Sequence, residues 1–182
     1  KPMKRRKFIG NTAMGAAAMV GFPSIVPANV LGKNAPSNKI NIAQIGCGRI
    51  ARAHDLPDTM AFDVANVMAV CDLDANRMKD GKDLVDKFYQ EKNGKTNYTG
   101  TKMYGDYREM LLDKDIDAVM ISTPDHWHSQ PAMEAAMAGK HIYLQKPTSL
   151  TVKEGRQLVD AVKNNNVILQ VGTQQRAMPQ FR

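Results

Sequence analysis

Ile40-Asn41-Ile42-Ala43-Gln44-Ile45-Gly46-Cys47-Gly48-Arg49-Ile50-Ala51 is the stretch on which the fold turns. An apolar run of strand length, rich in Ile, stops at Gly46, and a helical pattern follows from Arg49 to Ala61. A second apolar run, Val64 to Cys71, stops at Asp72. Glycines between a strand and a helix form the dinucleotide fingerprint. Gly46 permits a tight turn, Gly48 lets the backbone approach a pyrophosphate, and Ala51 keeps helix and strand close. Cys47, Arg49 and Ile50 complete the loop, whose open N–H groups and helix dipole favour phosphate.

Working outward, apolar runs and helical patterns keep alternating. Helices are predicted over Asp74 to Lys92, Asp106 to Leu112, Trp127 to Ala138 and Thr151 to Lys163, and strands over Ala118 to Ile121, His141 to Leu144 and Val167 to Val171. Asn93 to Lys102 reads as a polar loop. Such alternation implies parallel strands joined by right-handed crossovers, an α/β doubly wound sheet of the Rossmann type. No internal repeat of 20 to 50 residues marks a solenoid or propeller.

Asp72 ends the second strand at the distance where a carboxylate accepts hydrogen bonds from adenosine ribose hydroxyls. It would repel a 2′-phosphate, which favours NAD over NADP, although Arg77 lies within reach of such a phosphate. The competing structural role for Asp72 is to cap the helix that begins near Asp74. S-adenosylmethionine methyltransferases carry a similar glycine loop and acid, so these two features leave the cofactor open. Cys47 and Cys71 are too few for a disulfide framework and read as buried thiols.

Ser122-Thr123-Pro124-Asp125-His126-Trp127-His128 follows the third apolar strand, and Gln145-Lys146-Pro147 follows the next. Both segments fall on the carboxyl edge of the sheet, where ligands of open α/β sheets bind. From about Lys39 to Arg182 this order of motifs resembles the Gfo/Idh/MocA family of oxidoreductases. The resemblance implies that Thr123 and Pro124 line the cofactor and that His128 sits near it. It also implies that Lys146, joined to Pro147 by a cis peptide, reaches the nicotinamide side and helps a substrate proton leave. Gln145 stands where the family carries Glu; an amide still accepts a ribose hydrogen bond, but without charge.

The 182 residues carry a formal charge of +7. Lys1, Lys4, Arg5, Arg6 and Lys7 lie at one end, and setting them aside leaves twenty basic residues against eighteen acidic. No basic stripe with aromatics remains, so nucleic acid is not an expected partner. The basic patch, the apolar stretch from Ala13 to Val26 and the Val26-Pro27-Ala28 site read as a signal peptide over 1–28. Arg5-Arg6 followed by Lys7-Phe8-Ile9 resembles the twin-arginine signal, with Lys4 where that signal usually has Ser or Thr. The expected partner is therefore the twin-arginine export machinery and the expected location periplasmic or otherwise exported.

Residues 29–38 read as a linker, 39–171 as the dinucleotide-binding domain and 172–182 as the start of a truncated substrate domain. His54, His126, His128 and His141 do not form a metal set by spacing, so no metal is expected. The leading expectation is hydride transfer between NAD and a hydroxyl or keto carbon of a sugar-like substrate. Lys146 would be catalytic, and Gly46, Cys47, Gly48, Arg49, Ile50, Asp72, Thr123, Pro124, His128 and Gln145 would hold the cofactor. A homo-oligomer is expected of the full-length protein. Alternatives are an NAD-dependent glycosidase that oxidises its sugar transiently, a non-catalytic NAD-bound binding protein, and a methyltransferase.

Overall fold

The computed structural model describes residues 38–94 and 98–181. The segment expected to be a signal peptide and almost all of the expected linker lie outside them. Six parallel strands form one sheet in the order β3-β2-β1-β4-β5-β6. They are β1 (Ile40–Ile45), β2 (Ala65–Cys71), β3 (Lys102–Tyr104), β4 (Ala118–Ile121), β5 (His141–Gln145) and β6 (Leu169–Gly172). Between them run α1 (Leu56–Met60), α2 (Ala75–Asn93), α3 (Tyr107–Leu111), α4 (Ser129–Met137) and α5 (Val152–Asn164). The order reverses between β1 and β4, which opens a crevice at their carboxyl ends.

Alternation along the strands sends side chains to two cores, one on each face. Ala43, Ile45, Val119, Ile121, Ile142 and Leu144 pack with Ala132, Ala135, Ala136 and Leu158 of α4 and α5. Val67, Val70 and Met120 pack with Leu56, Met60, Val85 and Tyr89 of α1 and α2. The pairing of β1 with β2 shifts register between Ile42 and Ala43, skipping Met68. That bulge lets Val67 and Val70, three residues apart, share a face.

Three expectations are corrected by the structure. The single helix from Arg49 to Ala61 contains a π turn, Ala51–Asp55, in which the Leu56 N–H donates to the Ala51 carbonyl. The cause is Pro57, which has no N–H to return to Ala53 and whose ring would crowd that carbonyl. The polar loop from Asn93 to Lys102 runs into β3, a three-residue edge strand on β2 whose exposed Lys102 and Met103 give no apolar run to detect. The last strand starts at Leu169 rather than Val167, because Asn166 at φ 53° prolongs the turn after α5. No described helix is long and apolar enough to cross a membrane.

Candidate dinucleotide site

Gly46 turns the chain at φ 83°, and a Cβ there would lie 2.8 Å from the Ser122 carbonyl oxygen. Both facts demand glycine, the first for backbone strain and the second for the close approach of β4. Gly48 differs: a Cβ there would meet nothing within 4 Å. The protein itself therefore leaves that side of the loop open. The Arg52 N–H donates to the Gly48 carbonyl at 3.1 Å, so Gly48, Arg49 and Ile50 form the first helical turn, whose N–H groups run out of intrahelical acceptors. Arg49 and Ile50 are exposed, and Ala51 is buried against the sheet as its role requires.

Asp72 holds this loop in place. One carboxylate oxygen accepts from the Cys47 N–H at 2.7 Å and the other from the Asp74 N–H at 2.9 Å. The cap of α2 is Asp74, which accepts from the Asn76 and Arg77 N–H groups. The capping role weighed for Asp72 thus belongs to its neighbour. Arg77 pairs with Asp74 at 3.6 Å. The Cys47 thiol packs on Gly81 of α2, where a Cβ would come within 2.9 Å of Sγ. Burial, reinforced by the Asp72 charge, pushes the Cys47 and Cys71 thiols up to about 12, so both stay protonated and inert at neutral pH.

The loops after β4 and β5 are tied together by His128. Its ring is 1% exposed; Nε2 lies 2.8 Å from the Thr123 carbonyl and Nδ1 bonds the Pro147 carbonyl. Both nitrogens face backbone carbonyl oxygens, of which a neutral ring donates to one and packs against the other, and this makes His128 a strut between the Thr123-Pro124 and Lys146-Pro147 loops. The Thr123 hydroxyl donates to the Trp127 carbonyl at 3.0 Å, and Pro124 leads into a 3-10 turn, Asp125–Trp127. The Lys146–Pro147 peptide is cis, as the resemblance implied. Lys146 is exposed and makes no hydrogen bond or ion pair with a described residue.

These loops and the first helix enclose a cavity of ≈ 660 Å³ lined by Ile50, His54, Ser122, Thr123, Gln145 and Lys146, among others. Beneath it runs a buried polar chain. The Gln44 amide donates to the Ser122 hydroxyl at 3.0 Å, Ser122 donates to Asp55 at 2.5 Å, and the Gln145 amide donates to the other Asp55 oxygen at 2.7 Å. Burial raises the Asp55 carboxyl above its ordinary range, with the bonds from Ser122 and Gln145 pulling the other way. Asp55 escaped the reading of the sequence, since it belongs to no glycine or proline motif, and Ser122 was read only as the start of the Thr123-Pro124 segment, with no role of its own. Among the described residues no three His, Cys, Asp or Glu side chains are grouped to hold a metal ion.

Fold and site together define a dinucleotide-binding α/β domain. The chain belongs to the Gfo/Idh/MocA oxidoreductases: residues 40–173 match the family model described as "Oxidoreductase family, NAD-binding Rossmann fold". It is 34% identical over 138 residues to the uncharacterised oxidoreductase YrbE of Bacillus subtilis, spanning 76% of this chain and 36% of YrbE. It is 32% identical over 155 residues to glycosyl hydrolase family 109 protein 1 of a Shewanella species, spanning 84% of this chain and 33% of that protein. The WlbA dehydrogenase of Bordetella pertussis, solved with NADH and UDP-GlcNAcA, superposes at a TM-score of 0.65 with 26% identity, over 77% of this chain and 36% of WlbA. The chain thus spans little more than a third of the length of these relatives.

The residues present suit NAD. Gly48 leaves the phosphate side of the loop open, Asp72 offers lone pairs at the end of β2, and the cavity continues from Ile50 to Lys146.

Proposed function

We propose that this domain holds NAD in an enzyme that moves a hydride to or from a hydroxyl or keto carbon of a sugar-like substrate. The observation that carries the reading is the single cavity shared by Ile50 of the glycine loop, Gln145 and Lys146. When bound, NAD supplies the hydride acceptor or donor. Gly46, Cys47, Gly48, Arg49 and Ile50 cradle the pyrophosphate, Asp72 accepts from the adenosine ribose and disfavours a 2′-phosphate, and Thr123, Pro124 and Gln145 line the nicotinamide half. His128 acts from beneath by fixing both loops. Lys146, at the cavity wall and without a partner among the described residues, donates to the substrate hydroxyl oxygen and stabilises it as its own proton leaves for solvent. WlbA, solved with NADH and a nucleotide sugar, supports the substrate class.

The Arg5-Arg6 segment and the apolar stretch behind it support export by the twin-arginine route, which carries folded proteins and so a bound cofactor with them. Residues 172–182 are then the entry into a substrate domain. Mass spectrometry of small molecules released on denaturing the purified protein tests the reading. NAD(H) is expected; no released nucleotide together with no binding of added NADH sinks it.

The likeness to a family 109 glycosyl hydrolase favours a second reading, in which a sugar hydroxyl is oxidised transiently, the glycosidic group leaves together with the acidified neighbouring proton, water adds in its place and the hydride returns. Glycoside cleavage without net change in NADH selects it, and net sugar oxidation selects the first.

A further inference from the structure

We propose that Asp55 is a positioning residue for the dinucleotide site: its carboxylate fixes the Gln145 side-chain amide so that the carbonyl oxygen, not the NH2, faces the cavity. The proposal rests on the NAD-binding reading for its consequence and on the buried polar chain for its geometry.

Asp55 ends the π turn and is 5% exposed, as is Gln145. The two meet across 90 residues of sequence, with Gln145 Nε2 2.7 Å from Asp55 Oδ1. The direction of that bond is not arbitrary. Gln44 has donors but no hydroxyl to share, and its Nε2 reaches Ser122 Oγ, so the single Ser122 proton is left for Asp55 Oδ2. Ser122 thus donates to one Asp55 oxygen and the Gln145 NH2 lies against the other, the arrangement an ionised carboxylate takes. An ionised carboxylate cannot donate, so it holds the NH2 and turns the Gln145 carbonyl oxygen away.

The Gln145 oxygen then points the other way. It lies beside Gly172, where a Cβ would come within 3.2 Å of Oε1, and no described residue donates to it. Gln145 and Gly172 both line the cavity. The chain thus presents an acceptor to a ligand hydroxyl, held by a charge buried one layer below.

Two consequences separate this from a structural role alone. Protonating Asp55 turns one of its oxygens into a donor, after which Gln145 is free to reverse and offer NH2 to the cavity. Affinity for NADH therefore falls as the pH drops through the Asp55 pKa. The other groups around Asp55 are Tyr143 on β5 and His54 and Asp58 on its own helix segment, and none of them is hydrogen-bonded to Gln145. Second, the acid and the amide are exchangeable: Asn at 55 facing Glu at 145 keeps one N–H donor between them and still presents an oxygen to the cavity.

The test is NADH binding by calorimetry, across pH, to the wild-type chain and to Asp55→Asn, Gln145→Glu and the double variant. Gln145→Glu alone sets two carboxylates against each other and is expected to weaken binding at neutral pH by about tenfold, the cost of one buried mismatched hydrogen bond. Asp55→Asn loses the pH step. The double variant recovers most of the wild-type affinity. A double variant no tighter than the weaker single one, or an Asp55→Asn variant that keeps the wild-type pH step, overturns the proposal. If wild-type chain binds no NADH at any pH, the NAD reading fails by itself, and the pair is decided by NMR. A Gln145 NH2 signal that follows the Asp55 carboxyl titration supports the proposal, and one that ignores it refutes it.

Discussion

Gly46 and Gly48 occupy one motif for different physical reasons, and substitutions separate them. Gly46→Ala forces a side chain onto a positive φ and into the Ser122 carbonyl. It is expected to cost about 2 kcal/mol or more in unfolding free energy, read from the denaturant midpoint. Gly48→Ala meets no protein atom, so the midpoint should stay within about 1 kcal/mol, the range of a Gly-to-Ala change in open space. Its expected effect is on NADH affinity; equal losses of stability in the two variants would contradict this division. Both glycines and Asp72 were legible in the sequence because strand, turn and helix follow one another within a few residues. Asp55 was not, because its role depends on a π turn forced by Pro57 and on a partner 90 residues away. The buried strut formed by His128 was hidden for the same reason: proximity to the motif was readable, but the carbonyls of Thr123 and Pro147 that face the two ring nitrogens meet only in the fold.

At the scale of elements, α5 shows how a helix start is secured next to the site. Thr151 accepts from the Glu154 N–H, while the Glu154 carboxylate accepts from the Thr151 and Leu150 N–H groups and the Ser129 hydroxyl. The capping box therefore also links α5 to the start of α4, directly behind the Lys146-Pro147 loop. Thr151→Ala is expected to destabilise the protein by about 1 kcal/mol, measured by chemical denaturation. The backbone bonds hold the Glu154 carboxyl below its ordinary value of 4.5. A depressed carboxyl adds stability that is present above that value and is lost as the pH falls through the folded pKa. The protection of the first-turn amides of α5, taken relative to their intrinsic exchange rates, should fall on acidification below about pH 4.5 in the wild type and show no such step in Glu154→Gln. The helices were read to within a residue or two from their helical pattern, while the capping box of Thr151 and Glu154 was seen only in the structure. Strand β3 was not read, because its pairing with β2, rather than any apolar pattern of its own, makes it a strand.

At the scale of the whole molecule, the cavity takes its walls from both halves of the sheet and exists only while the sheet does. Ile50 comes from the first helical turn, Ser122 and Thr123 from the loop after β4, Gln145 from β5, Lys146 from the loop after it, and Gly172 from β6. A ligand bound there is lost on global unfolding, whereas fraying at the far end of α2, capped by Gly94, leaves it undisturbed. NADH at a hundred times its Kd should therefore raise the global unfolding free energy by about 2.7 kcal/mol. The slowest amides of β1 and β4, which exchange only on global opening, should slow by about a hundredfold, and those in the last turn of α2 should not change. NADP at the same concentration should protect less, because its 2′-phosphate faces the Asp72 carboxylate, and Asp72→Asn should narrow the gap between the two nucleotides. Protection confined to the glycine loop, with β4 unaffected, would mean that the ligand engages one half of the sheet alone and that the walls formed after β4 and β5 take no part in holding it.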